Sequence, residues 1–329
     1  MIDLLKDKQI ISIVGNAKNA GKTTVLNAIV NQYQSHVLLT SIGLDGEELD
    51  QVTHLEKPQV FVKKNDYIVT AKGTLSEFTA TYEIVKTYNI HTAIGQIVLC
   101  RITNPGKVLI AGPSKVDEMQ RVIDDVRKIL PIKIIIDGAF FRQSFANVGE
   151  GVIFVVGAND SPDMSLTIEH AALSYWKLTL PKYDDVQFDL KNQKMVCVLK
   201  NNQLFSLGFA SLLGHADDIL KQMNEADALF IPKSITDELI NCWTDRYPHV
   251  TCNLILQSGI HIQLNHQNLK RLKQLTKSIE VIHPIDVLAV CMNPTSPNGY
   301  QYHKKDFKRQ LEKRLKCQVY DVKEDRIYE

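Results

Sequence analysis

Residues 9–14, QIISIV, form an apolar run too short for a helix, and the run stops at Gly15. Small and polar residues follow: Gly15-Asn16-Ala17-Lys18-Asn19-Ala20-Gly21-Lys22-Thr23-Thr24. Then Val25, Leu26, Ile29 and Val30 fall on one stripe at helical spacing. A buried strand, a loop without bulk and an amphipathic helix are thus set in that order. Such a loop leaves backbone N–H groups free to converge on a polyphosphate, and the helix behind it adds the positive end of its dipole. In this reading Lys22 reaches the terminal phosphates and Thr23 coordinates Mg²⁺. The strict pattern has glycine at position 16; here the residue is Asn16, with Gly15 one place earlier.

The same alternation continues. Residues 36–42 read as a strand, and 97–102 and 107–111 as strands flanking an Asn104-Pro105-Gly106 turn. Ser114 and Asp117 resemble a capping box opening a helix that ends before Pro131. IKIIIDG, ending in Asp137 and Gly138, and residues 151–157 read as buried strands, and 164–176 as a helix. Strands without polar alternation, separated by helices, imply a mostly parallel sheet covered on both faces. TLPKYDD reads as a linker, and beyond it strands and helices alternate again to a basic closing helix and a last strand at 318–322. The expectation is an α/β protein of the P-loop NTPase type. Residues 1–180 would form the nucleotide-binding domain, and 181–329 a smaller α/β domain contacting a partner or substrate.

Ligands of open parallel sheets sit at the carboxyl ends of strands. Two acids follow predicted strands, Asp45 in the acidic segment 43–50 and Asp137 before Gly138. Both are candidates to anchor Mg²⁺ or to position an attacking water, and Gly138 would let the backbone approach a terminal phosphate. Lys57-Pro58 and Arg142 are candidate phosphate or partner contacts, equally readable as surface charges. Asn293-Pro294-Thr295-Ser296-Pro297-Asn298-Gly299 reads as a rigid loop suited to a contact surface.

Lys plus Arg total 38 against 37 Asp plus Glu in 329 residues, so the whole-chain charge offers no excess of cations for nucleic acid. The first residues, MIDLLKDKQIISIVG, carry Asp3 and Asp7 and no export-signal pattern, and the apolar runs fall far short of the ~20 residues that span a bilayer. The six cysteines form no CxxC pair and the ten histidines show no ligand spacing, which favours packed thiols over a metal or redox site. A cytoplasmic protein is expected.

Lys18-Asn19-Ala20-Gly21-Lys22-Thr23-Thr24 resembles the KNSGKTT loop of molybdopterin-guanine-dinucleotide biosynthesis B proteins, within the P-loop class that includes dethiobiotin synthetase and the nitrogenase iron protein. A narrower resemblance rests on five segments: NAGKTT at 19–24, TSIGLDGE at 40–47, KP at 57–58, DGAFFRQS at 137–144 and NPTSPNGY at 293–300. Together these resemble the proteins encoded beside lysine 5,6-aminomutase, a subunit of its reactivating factor. The resemblance implies an ATP-dependent helper, acting with a second ATPase subunit to release damaged cobalamin from an adenosylcobalamin-dependent aminomutase. It also implies that Lys22 and Thr23 hold nucleotide and Mg²⁺, with Asp45 and Asp137 as switch-loop acids. GTP stays open beside ATP, because no NKxD base-reading motif is present. The alternatives are a small-molecule ligase or kinase of the dethiobiotin-synthetase kind and a nucleotide-binding subunit without turnover. A homo- or hetero-oligomer fits each of these.

Overall fold

The computed structural model describes residues 5–33, 35–42, 59–138, 149–184, 187–223 and 225–323. The chain begins with β1 (Ile10–Gly15), α1 (Lys22–Gln32), β2 (Val37–Ser41), β3 (Val60–Val62) and β4 (Tyr67–Ala71). Next come β5 (Thr81–Thr92), β6 (Gly95–Asn104), β7 (Gly106–Val108), α2 (Val116–Ile129), β8 (Lys133–Asp137), β9 (Gly151–Gly157) and α3 (Met164–Leu178). A second stretch holds β10 (Cys197–Lys200), β11 (Gln203–Ser206), α4 (Ala216–Lys221), β12 (Ala228–Ile231), β13 (Ile235–Thr236), α5 (Asp237–Arg246), β14 (Cys252–Leu256), β15 (Ile262–Gln263), α6 (His266–Leu275) and β16 (Thr276–Val281). The chain closes with β17 (Val287–Asn293), α7 (Lys304–Leu315) and β18 (Val319–Tyr320).

These elements form two compact units, residues 1–175 with 286–329, and residues 176–285. The first unit holds a nine-stranded sheet in the order β18-β17-β9-β1-β8-β2-β4-β6-β5. From β18 to β4 every neighbouring pair is parallel, whereas β6 is antiparallel to β4 and to β5. Successive residues of a strand point to opposite faces, so β1 feeds two cores. Ile11 and Ile13 pack with Val25, Leu26, Ile29 and Val30 of α1 on one face. Ile10 packs on the other with Met119, Val122, Ile123 and Val126 of α2. Strands β1, β8 and β9 are thus flanked by sheet and covered by apolar side chains, which is why their sequences lack polar alternation. Lys133 opens β8 ahead of its apolar run, and its buried ammonium donates to the carbonyls of Leu5 and Lys8.

The second unit holds a five-stranded sheet, β11-β10-β12-β14-β16, in which β12, β14 and β16 are parallel. Trp243 of α5 is fully buried there, its indole N–H donating to the Val250 carbonyl at 2.9 Å. No helix among the described residues is long and apolar enough to cross a membrane.

Several sequence expectations are corrected. Sequence order assigns everything beyond 180 to a second domain, yet β17 pairs with β9 and β18 with β17, so residues 286–329 complete the first unit. The apolar strand β9 needs a neighbour on each side, and β17 supplies the second. Residues 106–108 do not fold back on β6. Pro105 offers no N–H and leaves too short a link for a hairpin, so β7 pairs antiparallel with β3 instead. Strand β6 pairs instead with β4 and with β5, the latter a strand that the alternation pattern does not mark. Ser114 does not cap α2: Lys115 holds the cap position without a side-chain bond, and Asp117 and Glu118 complement the first turn's dipole. The helix near 210–223 starts only at α4, because Gly214 takes positive φ within the expected span.

Truncating Trp243 to alanine is expected to destabilise the protein by about 3–5 kcal/mol, read as a fall in the midpoint of urea unfolding followed by circular dichroism.

Candidate functional site

The connection from β1 to α1 lies at the carboxyl end of an inner strand of the sheet, between β9 and β8. Two residues in the left-handed region, Asn19 (φ 57°) and Gly21 (φ 104°), curl it. A curl of this kind aims consecutive N–H groups into one concavity, and the first-turn N–H groups of α1 have no acceptor within the helix. Gly21 is required twice over: by its φ, and by the Asn293 side chain, which would stand 3.0 Å from any Cβ added there.

Strand β9 holds the curl from the side. The Asn16 N–H donates to the Val155 carbonyl at 2.9 Å, and the Asn16 Oδ1 accepts from the Gly157 N–H at 2.8 Å. A Cβ at Gly157 would lie 2.4 Å from the Ala20 Cα, so the two backbones meet only because this residue has no side chain. Asn16, 2% exposed, therefore does work that glycine could not, tying the front of the loop to the neighbouring strand. Just beyond β9, Asn159 donates to the Lys18 carbonyl at 2.8 Å and accepts from the Ser296 hydroxyl at 3.0 Å and the Asn298 amide at 3.1 Å. Tyr300 donates to the Ala158 carbonyl at 2.8 Å. The 293–300 loop, expected as a contact surface, is thus braced onto the same segment that holds residues 16–20. Asn159 was not singled out in the sequence; its one signal is a place two residues past the carboxyl end of a buried strand.

Strand β8 borders the loop on the other side. Gly138 donates its N–H to the Ile13 carbonyl at 2.9 Å, so its close approach is to β1. Asp137 ends β8, and its Oδ1 is buried with no hydrogen-bond partner among the described residues. Burial pushes the Asp137 carboxyl up to about 6, opposed by the charge of Lys22. Burial in turn pulls the Lys22 ammonium below its ordinary value, opposed by Asp137. The two charges sense each other without an ion pair. Thr23 and Thr24 stand beside Lys22 in the first turn of α1. Asp45, Lys57, Pro58, Arg142 and Ser144 lie outside the described residues. Ser41 is buried and structural, donating to the Ile110 carbonyl at 3.0 Å. The six cysteines are free thiols, and no cluster of three or more metal-ligating side chains occurs among the described residues.

A cleft of about 710 Å³ opens from Gly21, Thr24 and Val25 past Asn293 to the start of α7 and the residues after β18. Comparison of the chain with protein-family models, curated proteins and solved structures finds no match.

Gly157→Ala is expected to force β9 and the loop apart at a cost of about 1–3 kcal/mol. Hydrogen exchange of the peptide covering 15–24 should quicken. Asp137 gives a pH signature. Its folded value lies above its unfolded one, so its contribution to stability is whole below about pH 4 and is lost as pH rises to about 6. Relative to wild type, Asp137→Asn should gain roughly 1–3 kcal/mol across that window and hold the gain above it. A difference in unfolding free energy that stays flat from pH 3 to 8 would remove the assignment.

Proposed function

We propose that residues 15–24 hold the polyphosphate of a nucleoside triphosphate with Mg²⁺, and that the chain is a P-loop protein using ATP, or GTP, to remodel a partner enzyme. One observation carries this reading. A left-handed, amide-rich curl ends at a helix N-terminus beside a partly buried ammonium, Lys22, that has no ion-paired carboxylate among the described residues. Such a concavity offers backbone donors and an ammonium to a ligand, with one acid beside them, and a polyanion matches the donors.

That acid is Asp137, whose orphaned Oδ1 suits a divalent cation or its water shell better than it suits a phosphate. The residues therefore fit Mg²⁺, with the Thr23 hydroxyl and Asp137 as its protein contacts and Asp45 as a further candidate from the sequence. Bound there, the cation would offset phosphate charge. Lys22 and the first-turn N–H groups of α1 would do the rest by fixed electrostatics, since phosphoryl transfer asks for positioning and charge stabilisation more than covalent chemistry. Hydrolysis would then change what segments 43–57 and 137–150 contact, the ordinary way a phosphate drives a conformational switch.

The partner reading rests on the resemblance of 19–24, 40–47, 57–58, 137–144 and 293–300 to the reactivating-factor subunit of lysine 5,6-aminomutase. On that basis the chain acts in the cytoplasm with a second ATPase subunit on an adenosylcobalamin-dependent aminomutase.

Lys22→Ala is expected to lower affinity for Mg-ATP by a hundredfold or more while circular dichroism stays unchanged, as measured by calorimetric titration. Undiminished binding in the folded variant would overturn the site. ATP turnover should rise on addition of the inactivated aminomutase. A rise only with a small-molecule substrate would replace the remodelling role with that of a ligase or kinase.

A further inference from the structure

The cleft beside the loop is larger and more cationic than a nucleoside needs. Its direction follows from the sheet order. Lys22 senses Asp137 on β8, to one side of β1, whereas the cleft is lined by the end of β17 and the residues after β18, which lie to the other. A ligand whose terminal phosphates lie at Lys22 therefore leaves the loop over Gly21 and Thr24 and runs toward Asn293. From β1 across β9 and β17 to β18 are three strand spacings, about 14 Å. A volume of about 710 Å³ seats a whole drug-sized ligand rather than a single ring system.

The two halves of the cleft differ. Near the loop, Val25, Met292, Pro294 and the Asn293 carboxamide suit a flat base and a sugar. The far half is walled by His303, Lys304, Lys305 and Lys323, and begins the twelve-residue helix α7, whose cap residue makes no side-chain bond to the first-turn N–H groups. One acid lines the cleft, Asp321; it is 4% exposed and ion-paired with Lys304. Lys305 and Lys323 are exposed, and neither ammonium has a carboxylate partner among the described residues. A neutral base and sugar would leave that positive wall unmatched.

We propose that the cleft receives the nucleoside end of the loop-bound nucleotide and that this nucleotide bears a further phosphate on its ribose, held by Lys305 and Lys323. The proposal rests on the nucleotide reading of residues 15–24 and narrows it to ribose-phosphorylated nucleotides.

The test compares matched ligands on the full chain by calorimetric titration: ATP and GTP, each against its 2′- and 3′-phosphorylated form. At least one ribose-phosphorylated ligand should bind tenfold or more tightly than its parent, and the advantage should shrink as salt is raised. In the Lys305→Ala/Lys323→Ala variant the ratio should fall to about one; both side chains are exposed, and circular dichroism checks the fold. Equal affinity within every pair, or a preference that survives in the variant, would overturn the proposal while leaving the loop's role intact. Failure of all these ligands to bind wild type would overturn both.

Discussion

The close approach of two backbones, the end of β9 and the turn at Ala20, governs what the β1–α1 connection can be. Curled loops with left-handed residues do not hold their shape in isolation, because each such residue costs conformational free energy unless its surroundings fix it. Among the described residues the fixing comes from the β9 side: Gly157 abuts Ala20, Asn16 bonds twice to β9, and Asn159 bonds to Lys18. The bonds are made by a strand that is itself buried along its whole length and cannot shift without opening both cores. The departure from glycine at position 16 follows from this. With the loop leaning on β9, a short carboxamide that bridges the two is a better occupant than a residue with no side chain.

Fixing the loop also fixes the electrostatics. Lys22 is placed at a helix N-terminus and partly withdrawn from water, while Asp137 is withdrawn from water on the adjacent strand. Burial weakens both charges, lowering the lysine's affinity for protons and raising the carboxyl's. A contact ion pair would relieve that tension, and Lys22 and Asp137 do not form one. What results is a stored mismatch that a phosphate beside Lys22, or a cation beside Asp137, would relieve. Groups held this way cost stability in the free protein, which is a reason to look for their use in binding.

The central part of this arrangement is legible in the chain. QIISIV, the stripe beginning at Val25, the run into Asp137 and the run over 151–157 each have a length and composition that admit one element type, and all four form as read. The edges are not legible. Strand β5 reads Thr-Tyr-Glu-Ile-Val-Lys-Thr-Tyr, is exposed along most of its length and shifts register against β6, so neither burial nor strict alternation marks it. The bracing through Asn159, Ser296 and Asn298 joins loops far apart in sequence by uncharged side chains, which carry no periodicity. The role of Asn293 beside Gly21 depends on a strand pairing that local sequence does not encode.

That pairing also orders events in assembly. Residues 176–285 separate β9 from β17, yet these strands are hydrogen-bonded neighbours, and Asp286 at the start of β17 already accepts the Val152 N–H at 2.8 Å and an ion pair from Lys8 at 2.7 Å. Bringing β17 to β9 closes a loop of more than a hundred residues, an entropic cost that falls if the intervening unit, with its own sheet and its own buried tryptophan, becomes compact first. Asn293, the 294–300 loop and the first turn of α7 can reach the β1–α1 connection only after that closure. The loop's small residues and its glycine are therefore specified locally, while the wall that would read the rest of a ligand is specified by the last pairing of the sheet.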